Sequence, residues 1–160
     1  MPRSYLIDGY NLAFAWEPVR REMLRDKQRG REKLIGLLAR FKRAAGCGIT
    51  VVFDGREGPG AGEAESVRGI AVRYAKRPAT ADEEIYRLVS ASRNPGSLTV
   101  VSSDRQVAGY ARRHKAAAMG AGEFIGRAEK AGERSGPNDE KPEPADTEEW
   151  AEYFGLADKG

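Results

Sequence analysis

The chain has 160 residues, 40% hydrophobic and 32% charged, with a single cysteine and a net charge of +3. That is enough for one domain with a real core. Apolar runs of only about five residues exclude a membrane-spanning helix, and a lone Cys47 excludes an internal disulfide or a thiolate metal cluster.

Ser4 to Ile7 reads as a first strand. It begins within a few residues of Met1, so no leader peptide is expected, and with the lone cysteine this points to a reducing, cytoplasmic location. Asp8 to Asp26 is expected as a loop or irregular turn, with Pro18 breaking any helix. From Lys27 to Ala45 the residues Leu34, Leu37, Leu38, Phe41 and Ala45 recur at helical spacing, and Gly46 and Gly48 stop the helix. Ile49 to Phe53 is a buried strand by its β-branched content.

Residues 54–66 (DGREGPGAGEAES) form a glycine-rich stretch without the Gly-Lys-Ser/Thr ending of a phosphate-cradling loop, and read as a mobile connection. Gly69 to Tyr74 is a third strand, Thr80 to about Ser92 a helix, and Leu98 to Ser102 a fourth strand. A helix from Ser103 to about His114, a short strand over Ala116 to Met119 and a helix from Gly122 to Ala131 follow. Residues 132–145 have no apolar pattern and three prolines, the composition of a disordered acidic linker. A short helical element over 146–160 would present Trp150, Tyr153 and Phe154 on one face, too short to stand alone. The expected architecture is therefore one domain over 1–131, a three-layer α/β/α sandwich around a mostly parallel sheet.

Charge is spread unevenly along this plan. Residues 1–45 carry 11 basic and 5 acidic side chains, residues 46–127 carry 12 and 9, and residues 128–160 carry 4 and 10. A basic body with an acidic tail is common among nucleic-acid binders, although a solvated surface with a solubilising tail has the same balance.

Four aspartates stand where the chain leaves a strand or enters a helix: Asp8 in YLIDGYN, Asp54 in TVVFDG, Asp82 in ATADEEI and Asp104 in VVSSDRQ. In a parallel sheet the carboxyl ends of the strands share one edge, so these side chains can meet in one cleft. Gathered carboxylates repel one another and raise each other's pKa unless a cation is present. Mg²⁺ or Mn²⁺ suits such oxygen ligands and can activate water and offset charge at a scissile phosphate.

Thr80 and Glu83 fit a capping box. At ~100° per residue Asp82 falls about 60° from the inward Ile85, while Glu83 points outward, where it can pair with Arg87. All three acids at this helix start could instead simply complement its dipole. Ser103 and Gln106 suggest a second box, which would free Asp104 from capping. Ser102 could hold that carboxylate or a water, so Ser102 and Ser103 support the site. Asp8 closes a buried strand with nothing nearby to cap, and Asn11 could orient it. Asp54 is also half of an Asp-Gly turn pair. Arg73, Lys76 and Arg77 are placed to hold flanking phosphates, and Tyr10, Trp16 and Tyr74 are large enough to stack bases. His114 has no partner for a triad.

Together IDGYN (Ile7 to Asn11), VVFDG (Val51 to Gly55), VRYAKRPATADEEI (Val72 to Ile85) and VVSSD (Val100 to Asp104) resemble the YacP-like branch of the NYN nucleases, relatives of PIN domains, over roughly residues 4–127. The resemblance implies a PIN-like fold, a divalent-metal site and RNA cleavage. By position it carries Asp8, Asp82 and Asp104 as metal-site residues, supported by Asn11 and Asp54. Some relatives are ribosome-associated endoribonucleases acting on messenger RNA, which adds the ribosome to the candidate partners. After about residue 127 the chain departs from the pattern, its acidic tail standing where some relatives carry a basic helical part.

A non-catalytic RNA-binding module of the same fold is the principal alternative. A phospho-receiver would use Asp54 as acceptor but needs paired acids after the first strand, where this chain has Asp8-Gly-Tyr-Asn. A haloacid-dehalogenase phosphatase needs an Asp-x-Asp motif at the same place.

Overall fold

The structure, a computed structural model, describes residues 3–56 and 64–135. Six strands, β1 (Ser4–Asp8), β2 (Gly48–Arg56), β3 (Ala64–Val67), β4 (Ile70–Lys76), β5 (Leu98–Val101) and β6 (Ala117–Met119), form one sheet in the order β3-β4-β2-β1-β5-β6. All pairings are parallel except the β3–β4 hairpin.

Side chains alternate across the pleat and divide the core in two. Tyr5 and Ile7 of β1, Ile49, Val51 and Phe53 of β2 and Val101 of β5 pack with helices α1 (Gly9–Ala15), α2 (Glu17–Arg25), α3 (Lys27–Ala45) and α6 (Ala121–Ser135). Leu6, Val52 and Val100 pack on the opposite face with α4 (Ala81–Ala91) and α5 (Arg105–Arg113). The result is the expected α/β/α sandwich. Ile7, Val51, Val52 and Phe53 have no exposed surface, and burial on that scale stabilises by roughly 1.5–3 kcal/mol per side chain.

The expected loop over Asp8 to Asp26 is instead α1 and α2. Pro18 occupies the second position of α2, where a helix has no internal partner for the missing N–H, so it starts the helix rather than breaking it. Leu12, Trp16, Val19 and Met23 are all buried, and their spacing of four, three and four is a helical stripe. The α3 bounds match the sequence expectation. Asp26 caps its start by accepting from the Gln28 N–H at 3.0 Å, and Gly46 ends it in the left-handed conformation.

Part of the glycine-rich stretch is strand. β2 continues to Arg56 through a bulge, with Gly55 at φ +79°. β3 joins β4 through Arg68 and Gly69, both at positive φ, the conformation a tight two-residue hairpin demands. Residues 57–63 lie outside the described residues. α6 runs on to Ser135, past the expected end at Ala131, and the remaining linker with the Trp150–Phe154 element lies outside the described residues as well. No helix among the described residues is long and apolar enough to cross a membrane.

Gly9 connects fold to site, because α1 starts directly after Asp8 and crosses the end of β2. A Cβ on Gly9 would lie 2.5 Å from two Phe53 ring carbons and 2.9 Å from the Val52 carbonyl oxygen. Gly9→Ala should therefore lose about 1–3 kcal/mol to overpacking, despite the ~1 kcal/mol it gains in helix propensity. Urea denaturation measures this, and an unchanged midpoint would remove the close approach as the reason for glycine here.

Candidate active site at the carboxyl edge of the sheet

Register brings the strand-end acids to one edge. Asp8 pairs with Val52, and Ile7 with both Val51 and Val101. Asp8 is therefore level with Ser102, the residue after β5, and Asp54 stands two residues beyond Val52. α4 starts where the chain returns from β4 at this same edge, and it carries Asp82 in its first turn. α5 starts just after β5, with Asp104 as its N-cap.

Asp8 is 9% exposed. Burial pushes its carboxyl up to about 6; the charges of Asp82 and Asp54 push the same way, against hydrogen bonds from Ser102 and the Asn11 backbone. Asp82, half-buried, is also raised, first by burial and then by Asp104, Asp54 and Glu83. Asp82 is thus the common neighbour: its charge bears on Asp8, and those of Asp54 and Asp104 bear on it.

Hydrogen bonds divide their roles. The buried Ser102 hydroxyl donates to Asp8 Oδ2 at 3.1 Å and accepts from the Asp104 backbone N–H at 3.1 Å, tying the first strand's acid to the start of α5. Asp54 Oδ1 accepts from the Ala81 backbone N–H at the start of α4. Asp104 Oδ1 accepts from the Gln106 N–H at 2.8 Å. Asp104 therefore caps its own helix, which corrects the expected Ser103/Gln106 box. Ser103 Oγ instead accepts from the Ala121 N–H at 3.0 Å and secures α6. Asn11 Oδ1 accepts from the Ser103 N–H at 2.9 Å, so its side chain positions the β5–α5 connection while its backbone serves Asp8.

The Thr80/Glu83 box is present, but the expected Glu83–Arg87 pair is not what forms. Glu83 is drawn back to the Thr80 N–H, and Arg87 pairs with Glu84 at 2.7 Å. Glu84 also takes Arg73 Nε at 2.8 Å with both side chains largely covered, and hydrogen bonds from Arg87 and then Arg73 hold its carboxyl below the usual range. Arg73 thereby braces β4 against α4. Lys76, the last residue of β4, and Arg77, the next, are exposed, and Arg77 lies over Gly55, its Nη2 3.2 Å from where a Cβ would be. Tyr10 is half-buried against Phe53, ring centroids 4.9 Å apart, and accepts a hydrogen bond from Arg31 at 3.1 Å. Arg31 was not among the expected site residues, because only tertiary packing brings α3 to Tyr10. Trp16 is buried in the core against Phe124.

Among the described residues, no three Asp, Glu, His or Cys side chains are set to hold a metal ion by themselves. The donors are nevertheless all hard oxygens, and Mg²⁺ commonly takes only one or two carboxylates, with water and phosphate oxygens completing its shell. The buried Asp8, raised in pKa beside Asp82, fits a cation bound in that sparse way.

The family model described as YacP-like NYN domain matches residues 5–153, running past residue 127, where the motif resemblance fades. The protein described as "Uncharacterized protein YacP" of Bacillus subtilis (strain 168) is 30% identical over 100 residues, 62% of this chain. The aligned part spans only 59% of that relative's length. Two crystal structures of Rae1 (YacP) from Bacillus subtilis are similar in fold. A tryptophan-to-leucine variant matches at TM-score 0.73 and 24% identity, covering 98% of each chain. Another superposes at TM-score 0.69 and 26% identity, covering 99% of this chain and 90% of that one.

The raised Asp8 carboxyl has a signed consequence for stability. Between about pH 4 and 6 the folded chain keeps a proton that the unfolded chain has released, so the stability this group contributes is full below about pH 4 and is lost as pH rises through 6. Asp8→Asn should therefore stabilise the metal-free protein at pH 8 by up to about 3 kcal/mol, and the gain should vanish near pH 4. Urea titrations in EDTA at both pH values check it; a destabilised variant at pH 8 contradicts it.

Proposed function

This chain belongs to the YacP-like NYN domain family, and from that premise we propose that it is a divalent-metal-dependent endoribonuclease. NYN domains are nuclease-like, and nucleases of the NYN and PIN type generally use divalent metals. The observation that carries the reading is the buried Asp8, with the charges of Asp82 and Asp54 bearing on it at the carboxyl edge of a parallel sheet. A structural role alone does not account for a carboxylate so placed, whereas a cation there relieves both its desolvation and the repulsion.

In this reading Asp8 and Asp82 would hold the cation, and Asp54 and Asp104, each with one carboxylate oxygen mooring a helix start, would add negative charge beside it. A cation so held supplies Lewis acidity toward the scissile phosphate and lowers the pKa of an attacking water. Ser102 fixes the Asp8 carboxylate, and Asn11 fixes the loop that presents Asp104. Lys76 and Arg77 hold the flanking phosphates, and Tyr10 lies beside the path of the strand. The substrate is RNA, and messenger RNA on ribosomes is the class that the family resemblance suggests.

One observation favours a rival reading: among the described residues no ready three-ligand cage exists, as suits a non-catalytic RNA-binding module. The two readings separate on a panel of structured RNAs with Mn²⁺. Cleavage by the wild type should fall about 100-fold or more in Asp82→Asn, with RNA binding and melting temperature little changed. If neither protein cleaves any RNA yet both bind alike, the binding module is the function.

A further inference from the structure

A pocket of about 690 Å³ opens on the α3 side of β2 and shares Asp54 and Gly55 with the acidic edge. Its walls mix aromatic and cationic groups: Tyr10 and Tyr74 with Lys27, Arg31 and Arg77. Arg31 is the organising residue. Its Nη1 donates to the Tyr10 hydroxyl at 3.1 Å, and its guanidinium carbon lies 5.9 Å from the Tyr74 ring centroid. Lys27 Nζ lies 5.6 Å from the Tyr10 ring centroid. Behind both tyrosines stands Phe53, 4.9 Å from Tyr10 and 5.6 Å from Tyr74 by ring centroids.

We infer that this pocket is a subsite for one unpaired nucleotide, its base stacked on the Arg31–Tyr74 platform and its phosphate held by Lys27 and Arg77. Aromatic faces and guanidinium planes are the surfaces on which splayed-out bases stack. The charge balance argues for a nucleotide over a bare anion: Glu32, Glu65 and Asp54 also line the pocket, so they offset its cations and make it a poor trap for phosphate alone. These acids can accept hydrogen bonds from base amino groups. The inference rests on the nuclease reading only in taking the nucleotide to be part of an RNA substrate, and the shared Asp54–Gly55 wall puts that nucleotide next to the acids.

Binding can be tested without cleavage. The full-length chain in EDTA is titrated with cytidine monophosphate, adenosine monophosphate, ribose phosphate and inorganic phosphate, followed by amide shifts in heteronuclear NMR. The expected result is saturable shifts around Tyr10, Arg31 and Tyr74 with the nucleotides, and far weaker ones with the two base-free phosphates. Arg31→Lys keeps the charge but loses the planar face, and should weaken nucleotide binding about tenfold, and Lys27→Gln, at an exposed position, should weaken it as well. Melting curves establish that both variants fold. Equal shifts with inorganic phosphate, or nucleotide affinity unaltered in folded Arg31→Lys, overturn the subsite. Nucleotide binding here by a protein that cuts no RNA would sink the nuclease reading alone; Mn²⁺-dependent cleavage with no nucleotide binding would sink the subsite alone.

Discussion

The burial of a carboxylate, with the like charge of its neighbours added to it, is the constraint on which this site depends. Asp8 is almost sealed from water at the end of a central strand, and Asp82 and Asp54 both raise the free energy of its ionised form. A fold selected for stability alone would place an uncharged residue there, because desolvation and like charge act in the same direction. The sheet order makes the gathering unavoidable: β1 lies between β2 and β5, so whatever ends β1 is flanked by whatever follows its two parallel neighbours.

The surrounding hydrogen bonds hold this arrangement without neutralising it. Asp54 and Asp104 each use an oxygen at a helix start, where the free N–H groups and the helix dipole favour negative charge. Ser102 links Asp8 to Asp104 through one hydroxyl, and Asn11 and Ser103 continue the chain of contacts to α6. Arg73 and Arg87 converge on Glu84, so the most basic neighbours of α4 are drawn to one glutamate and do not cancel the charge of Asp82. What results is an edge at which carboxylates raise one another's pKa.

Much of this was legible in the sequence because it is local or follows from topology. β-branched runs ending in Asp8, Asp54 and Ser102 marked parallel strands, the 3–4 spacing marked α3, and Thr80 with Glu83 marked the start of α4. The misses have physical reasons. Pro18 looked like a breaker, although the second position of a helix accepts proline. β3 is four residues with little burial, so its pattern is too weak to show before β4 pairs with it. The choice between Ser103 and Asp104 as cap depended on Ala121, 18 residues away, whose N–H draws Ser103 aside. Arg31 lies 21 residues from Tyr10, and nothing in either local pattern joins them.

β3 also has a bearing on how the protein behaves in concentrated solution. An open strand edge is a template on which further chains can add, and long, flat, apolar edges seed aggregates. Among the described residues, one margin of the sheet is a hairpin arm of four residues, with Ala64, Glu65 and Ser66 exposed, and the opposite margin, β6, has three. Short margins, one carrying a charge, offer a second copy little backbone to pair with along these strands.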